Sequence, residues 1–314
     1  MNELVQTGAT SLQAQQLINE DVFNRYVAFI DASPKTVATY TRATRQLLKY
    51  LGENGIAQPR REDILAYRDS LIASGHKPST VQSYIVAARL FFAWLAQEGI
   101  YTNNPAEHIK GAKLDKAHKK DYLTTRQVKA LLSKVERDTL QGKRDYAILV
   151  LMITGGLRTI EVSRADIGDM RTLGNDTVLY LQGKGHVEKT DFVKLDGHVE
   201  EAIRDYLTAR GEAAQGAPLF TSTSNRSRGQ RLSTRTISGI VKDRMQVAGY
   251  NSDKLTAHSL RHTAVTLSLL AGKPLEEVQQ FARHSNMQTT LIYSHALDRA
   301  KNGCSAAIAD AIFK

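Results

Sequence analysis

The sequence predicts a mainly α protein of two domains, an N-terminal helical bundle followed by a mixed α+β domain with a small β-sheet. Three observations predict it. Apolar residues recur at three- and four-residue steps through the first third of the 314-residue chain, and the pattern is again mostly helical after about Asp196. Between these regions DTVLYLQGKGHVEKTDFVKL, from Asp176, alternates as paired strands do and carries Gly183 and Gly185 at a bend. Ahead of it, NPAEHIKGAKLDKAHKKDYL combines five lysines with a proline, a glycine and no sustained apolar period, which marks a domain boundary.

Taken in order, LINEDVFNRYVAFI, KTVATYTRATRQLLKYL from Lys35, REDILAYRDSLIAS and STVQSYIVAARLFFAWL from Ser79 each have helical spacing. In the last, Val81, Tyr84, Ile85, Ala88, Phe91, Phe92 and Leu95 form one apolar stripe. Ser33 and Ser79 stand where N-caps belong, the first with Pro34 behind it. The second and fourth segments share T-V-x-x-Y before an apolar cluster; the echo occurs once, so a compact bundle of four or more helices over 16–107 is expected rather than a solenoid. A linker then spans 108–120, with Lys110, Lys113, Lys116, Lys119 and Lys120. A solvated run and a run crossing a phosphate backbone are both open for it. The second domain, 121–314, opens with a capping box, Thr124-x-x-Gln127, before VKALLSKV.

Composition bounds the partner. The chain holds 42 Lys+Arg against 32 Asp+Glu, a formal net charge of +10, while 42% apolar content excludes a disordered basic tail. A folded basic protein suggests a polyanion, and ribosome or membrane surfaces share that attraction with nucleic acid. The single cysteine, Cys304, excludes an internal disulfide framework and a cysteine-based zinc site. No basic stretch leads an apolar run at the start, and no segment reaches the ~18 apolar residues of a spanning helix, so a soluble, cytoplasmic protein away from the membrane is expected.

Four stretches can carry chemistry, and each has a plain structural reading beside the functional one. In AHSLRHTAV, His258 and Arg261 lie three apart on a helix and share a face, so one phosphate could touch both; a helix-surface pair is the alternative. His262 beside them is expected to face elsewhere and to be structural. TGGLRTIEV offers a tight glycine turn, then Arg158 and Glu161 three apart, alternatively a surface ion pair. GKGHVEK places Lys184 at a hairpin tip, where turn lysines are ordinarily solvated and the Walker pattern is absent. ARHSNMQTTLIYSH puts Tyr293 nine residues after His284, as core filling or as a nucleophile.

Spacing alone does not join these pieces. Their order, R-x-x-E, then GKG on a hairpin, then H-x-x-R-H, then a histidine nine before a tyrosine, resembles the tyrosine recombinase (phage integrase) family, with a two-domain, Xer-like architecture. The resemblance covers almost the whole chain. It implies that the helical bundle is a SAM-like core-binding domain and that 121–314 is the catalytic domain. One departure stands out: Ala282-Arg283-His284 occupies the place where the family commonly has Leu-Gly-His.

The resemblance also implies the roles. Tyr293 would be the nucleophile, forming a 3′-phosphotyrosine that keeps the energy of the broken phosphodiester. Arg158 and Arg261 would hold the non-bridging oxygens, Lys184 would protonate the leaving 5′-oxygen, His258 would assist proton transfer at Tyr293, and His284 would donate to the phosphate. Glu161 would orient the groups that touch DNA. No metal or other cofactor is called for. The implied protein is a site-specific recombinase that clamps double-stranded DNA with paired sites and assembles on it as a dimer to tetramer. A C-terminal tail bearing Ile308, Ile312 and Phe313, after a break at Asn302-Gly303, would pack on a neighbouring protomer. A type IB topoisomerase-like relaxing activity and a regulator that has lost catalysis are the alternatives.

Overall fold

The structure, a computed structural model, describes residues 18–113, 121–183, 185, 188–300 and 303–313. Lys116, Lys119, Lys120, Lys184 and Asn302 lie outside the described residues. The chain divides into two compact units, Met1–Lys116 and Ala117–Lys314.

The first unit holds helices α1 (Glu20–Phe29), α2 (Pro34–Glu53), α3 (Arg61–Ala73) and α4 (Pro78–Gln97). Ser33 caps α2 as expected, its hydroxyl accepting from the Thr36 N–H at 3.4 Å. The start of α4 differs from expectation: Lys77 is its N-cap, Pro78 opens it and Ser79 lies inside. Proline has no N–H to leave unsatisfied and its φ is already helical, so it takes the first helical position and moves the start ahead of the serine. The predicted stripe is the core. Val81, Ile85, Ala88, Phe91, Phe92 and Leu95 are buried against Tyr26 of α1, Leu47 of α2 and Ile64 and Tyr67 of α3. Tyr26 meets Phe91 edge-on at 4.9 Å between ring centres, the arrangement that aromatic quadrupoles favour. Lys110 and Lys113 are exposed.

The second unit begins with α5 (Thr125–Ser133), whose capping box forms: Gln127 accepts from the Thr124 N–H at 2.8 Å and Thr124 from the Gln127 N–H at 3.3 Å. Next, α6 (Leu140–Thr154) runs through the core with Ala147 to Ile153 all buried. On the same helix the buried Arg144 grips Asp145 at 2.7 Å, and Arg244 takes the other carboxylate oxygen at 2.6 Å. Buried charges survive when paired in this way.

After the short α7 (Thr159–Arg164) come strands β1 (Met170–Leu173), β2 (Asp176–Leu181) and β3 (Asp191–Lys194) in one antiparallel sheet of order β1-β2-β3. The hairpin β2–β3 is the one read from the sequence; β1 was not anticipated. Leu173 pairs with Asp176 across a two-residue loop, Gly174-Asn175, whose glycine has φ +63°. Helices α8 (Gly197–Arg210), α9 (Thr234–Val247), α10 (Ala257–Leu270), α11 (Leu275–Ala282), α12 (Met287–Ala300) and α13 (Cys304–Phe313) complete the unit. Ile308, Ile312 and Phe313 of α13 are exposed at 59%, 65% and 83%. No helix among the described residues is long and apolar enough to cross a membrane.

Candidate active site

The site forms where α7, α10, α11 and α12 meet. Its floor is the turn Thr154-Gly155-Gly156 that ends α6. At Gly155 an added Cβ would come within 2.5 Å of the Leu157 side chain, and Gly156 has φ +59° with the Phe281 ring 3.1 Å from where a Cβ would stand. Both glycines are therefore needed, one for space and one for space and conformation together.

The turn delivers Arg158 to the N-cap of α7, one residue outside the helix on which it was expected. Glu161, its carboxylate fully buried, accepts from the Arg158 backbone N–H at 2.7 Å and from its guanidinium at 2.8 Å. The pair is thus part of the interior and not a surface ion pair. Arg261, on α10, is buried and donates to the Gly156 carbonyl at 2.6 Å and to the Ala282 carbonyl. Arg158 reaches the next carbonyl, Arg283, at 3.1 Å. Two arginines distant in sequence are in this way set on successive peptide units of one turn.

That turn is left-handed at Arg283, with φ 52° and ψ 46°. It releases His284, whose ring nitrogen Nδ1 lies 2.9 Å from the buried Thr290 hydroxyl on α12. One turn further along the same helix Tyr293 is 7% exposed and packs with Val265, Val278 and Ala282. Its hydroxyl makes a 2.6 Å hydrogen bond with Nδ1 of His262. The rings of His284 and Tyr293 stack at 6.4 Å, and His258 meets His262 edge-on at 4.6 Å.

The structure therefore corrects the reading of His262, which turns towards the tyrosine instead of away from it. The missed signal was helical: 258, 261 and 262 are spaced i, i+3, i+4 and share a face. Arg283 was also not assigned; its guanidinium enters the same cluster, 3.2 Å from Glu161. Lys184 lies outside the described residues, while Gly183 just before it accepts from Arg164 of α7 at 3.0 Å.

Burial and cationic neighbours tune these groups. Burial pushes the Tyr293 phenol up to about 12, with Arg261 pulling the other way. His284 is brought down to about 4 by burial and by the charges of Arg261, Arg158, Arg283 and His258, so its imidazole is neutral at pH 7. For Glu161 burial pushes the pKa up, but Arg283 first and Arg158 next overcome it and hold the carboxyl below its ordinary value. Burial, together with Arg158 and Arg283, also lowers the pKa of Arg261. Three guanidinium and three imidazole groups clustered beside one phenol, with the buried carboxylate of Glu161 among them, make a site fitted to an anion.

Comparison with known proteins identifies the family and the fold. The model of the phage integrase family matches residues 121–300, and that of the phage integrase N-terminal SAM-like domain matches 22–99. A tyrosine recombinase XerC of Pelobacter propionicus is 30% identical over 273 residues, 85% of this chain and 87% of the relative. A tyrosine recombinase of Synechocystis is 30% identical over 73% of this chain and 72% of its own length. In fold, the chain is similar to the XerH site-specific recombinase bound to a palindromic difH substrate, with TM-score 0.72 and 20% identity over 87% of this chain and 80% of that one. It is likewise similar to a lambda integrase tetramer bound to a Holliday junction, with TM-score 0.68 and 16% identity over 90% and 80%. The chain belongs to the phage integrase family, and its activity is that of a site-specific tyrosine recombinase.

Proposed function

We propose that Tyr293 cleaves one strand of duplex DNA by in-line attack on a phosphate held by Arg158 and Arg261. The phenolic oxygen bonds to phosphorus, the bond from phosphorus to the 5′-oxygen breaks, and that oxygen leaves as a hydroxyl after taking a proton from Lys184. Attack by the 5′-hydroxyl of a second strand on the phosphotyrosine reverses these steps and completes the exchange. Each phosphodiester is traded for a phosphoester of like energy, so ATP has no part in resealing.

The observation that carries this reading is the gathering of Arg158 from the N-cap of α7, Arg261 and His262 from α10 and His284 from the turn after α11 beside Tyr293 of α12. A buried phenol with a raised pKa does not ionise by itself at pH 7. His262, 2.6 Å away, accepts the proton, and the exposed His258 packed on it passes the proton to solvent. This extends to His262 a role that the family resemblance implies for His258. Nδ1 of His284 is paired with the Thr290 hydroxyl at 2.9 Å; with the hydroxyl donating, the imidazole proton sits on Nε2, and the neutral ring serves as a donor to the phosphate. Glu161 neutralises part of the charge of Arg158 and fixes its fork.

The region 16–107 is the DNA-gripping domain, 108–120 a linker whose lysines 110, 113, 116, 119 and 120 follow the phosphate backbone, and 121–314 the catalytic domain. In the first of these, α2 and α4 flank a polar hollow lined by Thr39, Arg42, Ser79, Thr80, Ser83 and Tyr84, a chemistry suited to phosphate oxygens. The exposed apolar residues of α13 dock on a second copy of the chain, which couples partners on paired DNA sites. The setting is the cytoplasm, where the DNA of the bacteria that supply its relatives is kept.

The test is a duplex selected by the protein from a randomised library and resynthesised with a nick, so that cleavage releases a short fragment and traps the intermediate. A denaturant-resistant protein–DNA adduct is expected. Tight binding with no adduct would make the chain a regulator instead.

A further inference from the structure

Arg283 has no part in the reaction as proposed, yet the fold goes to some cost to accommodate it. Among the described residues it is the sole non-glycine with positive φ. A left-handed backbone is disfavoured for a bulky L-residue, because Cβ crowds the following carbonyl oxygen. Its Nε is buried with no hydrogen-bond partner among the described residues, a second cost. Glycine would avoid both, so something the guanidinium does must offset them.

Its contacts show what that is. With 9% of the side chain exposed, Nη1 donates to the Phe281 carbonyl at 2.8 Å, while Nη2 faces the Gly156 carbonyl at 3.1 Å, the Gly155 carbonyl at 3.3 Å and Glu161 at 3.2 Å. The side chain thus ties the end of α11 to the turn and carboxylate that carry Arg158. The backbone of the same segment receives both other arginines, Arg261 on the Ala282 carbonyl and Arg158 on the Arg283 carbonyl. Three guanidinium groups and one carboxylate form a closed set. Arg283 is the strongest of the charges that keep Glu161 ionised.

We propose that Arg283 is a positioning residue of DNA cleavage: its guanidinium, acting through Glu161 and the Gly155-Gly156 turn, locks the left-handed turn against which Arg158 and Arg261 are aimed and from which His284 projects. The inference rests on the reading of Arg158 and Arg261 as the groups that hold the phosphate. It assigns Arg283 no contact with DNA. The site is therefore a three-arginine variant in which rigidity comes from a side chain that a glycine at the same place could not supply.

Arg283→Gly separates backbone from side chain, because glycine adopts the left-handed turn at no steric cost and removes the side chain alone. Single-turnover cleavage of the nicked duplex at saturating protein should fall on the order of 10²-fold, as displacements of about 1 Å do. The protein concentration for half-saturation should stay within about threefold of wild type, since no DNA contact is lost. Added methylguanidinium should restore the rate where sodium chloride at equal ionic strength does not. Arg283→Asn, which also tolerates the turn, should behave like the glycine variant, and Arg283→Lys, which keeps the charge without the fork, should fall between. Cleavage by the glycine variant within threefold of wild type would overturn the proposal, since the turn alone would suffice. Failure of methylguanidinium to restore any rate, or loss of folded protein in both the glycine and asparagine variants, would make Arg283 a packing residue and overturn it equally. An absent wild-type adduct would instead sink the reading of Tyr293, so the two failures are told apart.

Discussion

At the scale of single residues, His284 ties folding stability to pH. Its imidazole has a folded pKa of about 4 against an ordinary 6.5, so the unfolded chain binds a proton that the folded one refuses. The stability this group contributes is complete above pH 6.5 and is lost as pH falls from 6.5 towards 4. Thermal melting at a series of pH values should show a decline across that window, and His284→Gln should flatten it. An unchanged slope in the variant would mean that the ring is not held neutral. Most of the residues here were legible in the sequence, but only together: R-x-x-E, H-x-x-R and a lone tyrosine are each common patterns, and their order along the chain gave them meaning. His262 turns to Tyr293 because its i, i+4 relation to His258 puts both on one face of α10, a relation that its adjacency to Arg261 obscures in the sequence. Arg283 was legible as a departure and not as a contact, since a left-handed arginine has no sequence signature.

At the scale of elements, the tail is where sequence and structure combine. Ile308 and Ile312, four residues apart, share one helical face, and α13 leaves both exposed together with Phe313. A ten-residue helix is marginal in water without a surface to cover it. Ile308→Asp with Ile312→Asp should therefore leave the melting temperature and single-site binding unchanged, and weaken cooperative binding of two protomers to a two-site duplex by about tenfold, or roughly 1.4 kcal/mol. Unchanged cooperativity with a destabilised monomer would place the helix on its own subunit. Other elements were less legible. The strand β1 is four residues long, too short for an alternating pattern, and the two-residue Gly174-Asn175 loop was the available sign of the hairpin it forms with β2. At α4 the serine signal was overridden by Pro78, whose missing N–H fits the first helical position better than any cap fits the second.

At the scale of the whole molecule, the formal charge is +10 and Lys110 and Lys113 are exposed; in the function proposed, phosphate contact is the main source of affinity. Binding measured from about 50 to 200 mM salt should weaken steeply, with a log–log slope near −0.9 for each phosphate neutralised. A flat response would remove the electrostatic basis of DNA binding. Fold class was readable at this scale because helical periodicity and one alternating stretch are averaged over many residues. The meeting of Gly156, Arg158, Arg261, His284 and Tyr293 was not, since it depends on packing between elements that local sequence does not encode.

The central claim is that Tyr293 is the atom donor of the covalent bond to DNA. Digesting the trapped adduct with protease and nuclease and sequencing the modified peptide by mass spectrometry tests it most directly. The account predicts a phosphonucleotide on Tyr293 in the peptide containing Thr290 and Ile292, and none in Tyr293→Phe, which should still bind DNA as the wild type does. A phosphonucleotide on any other residue, or an adduct formed by Tyr293→Phe, would contradict it.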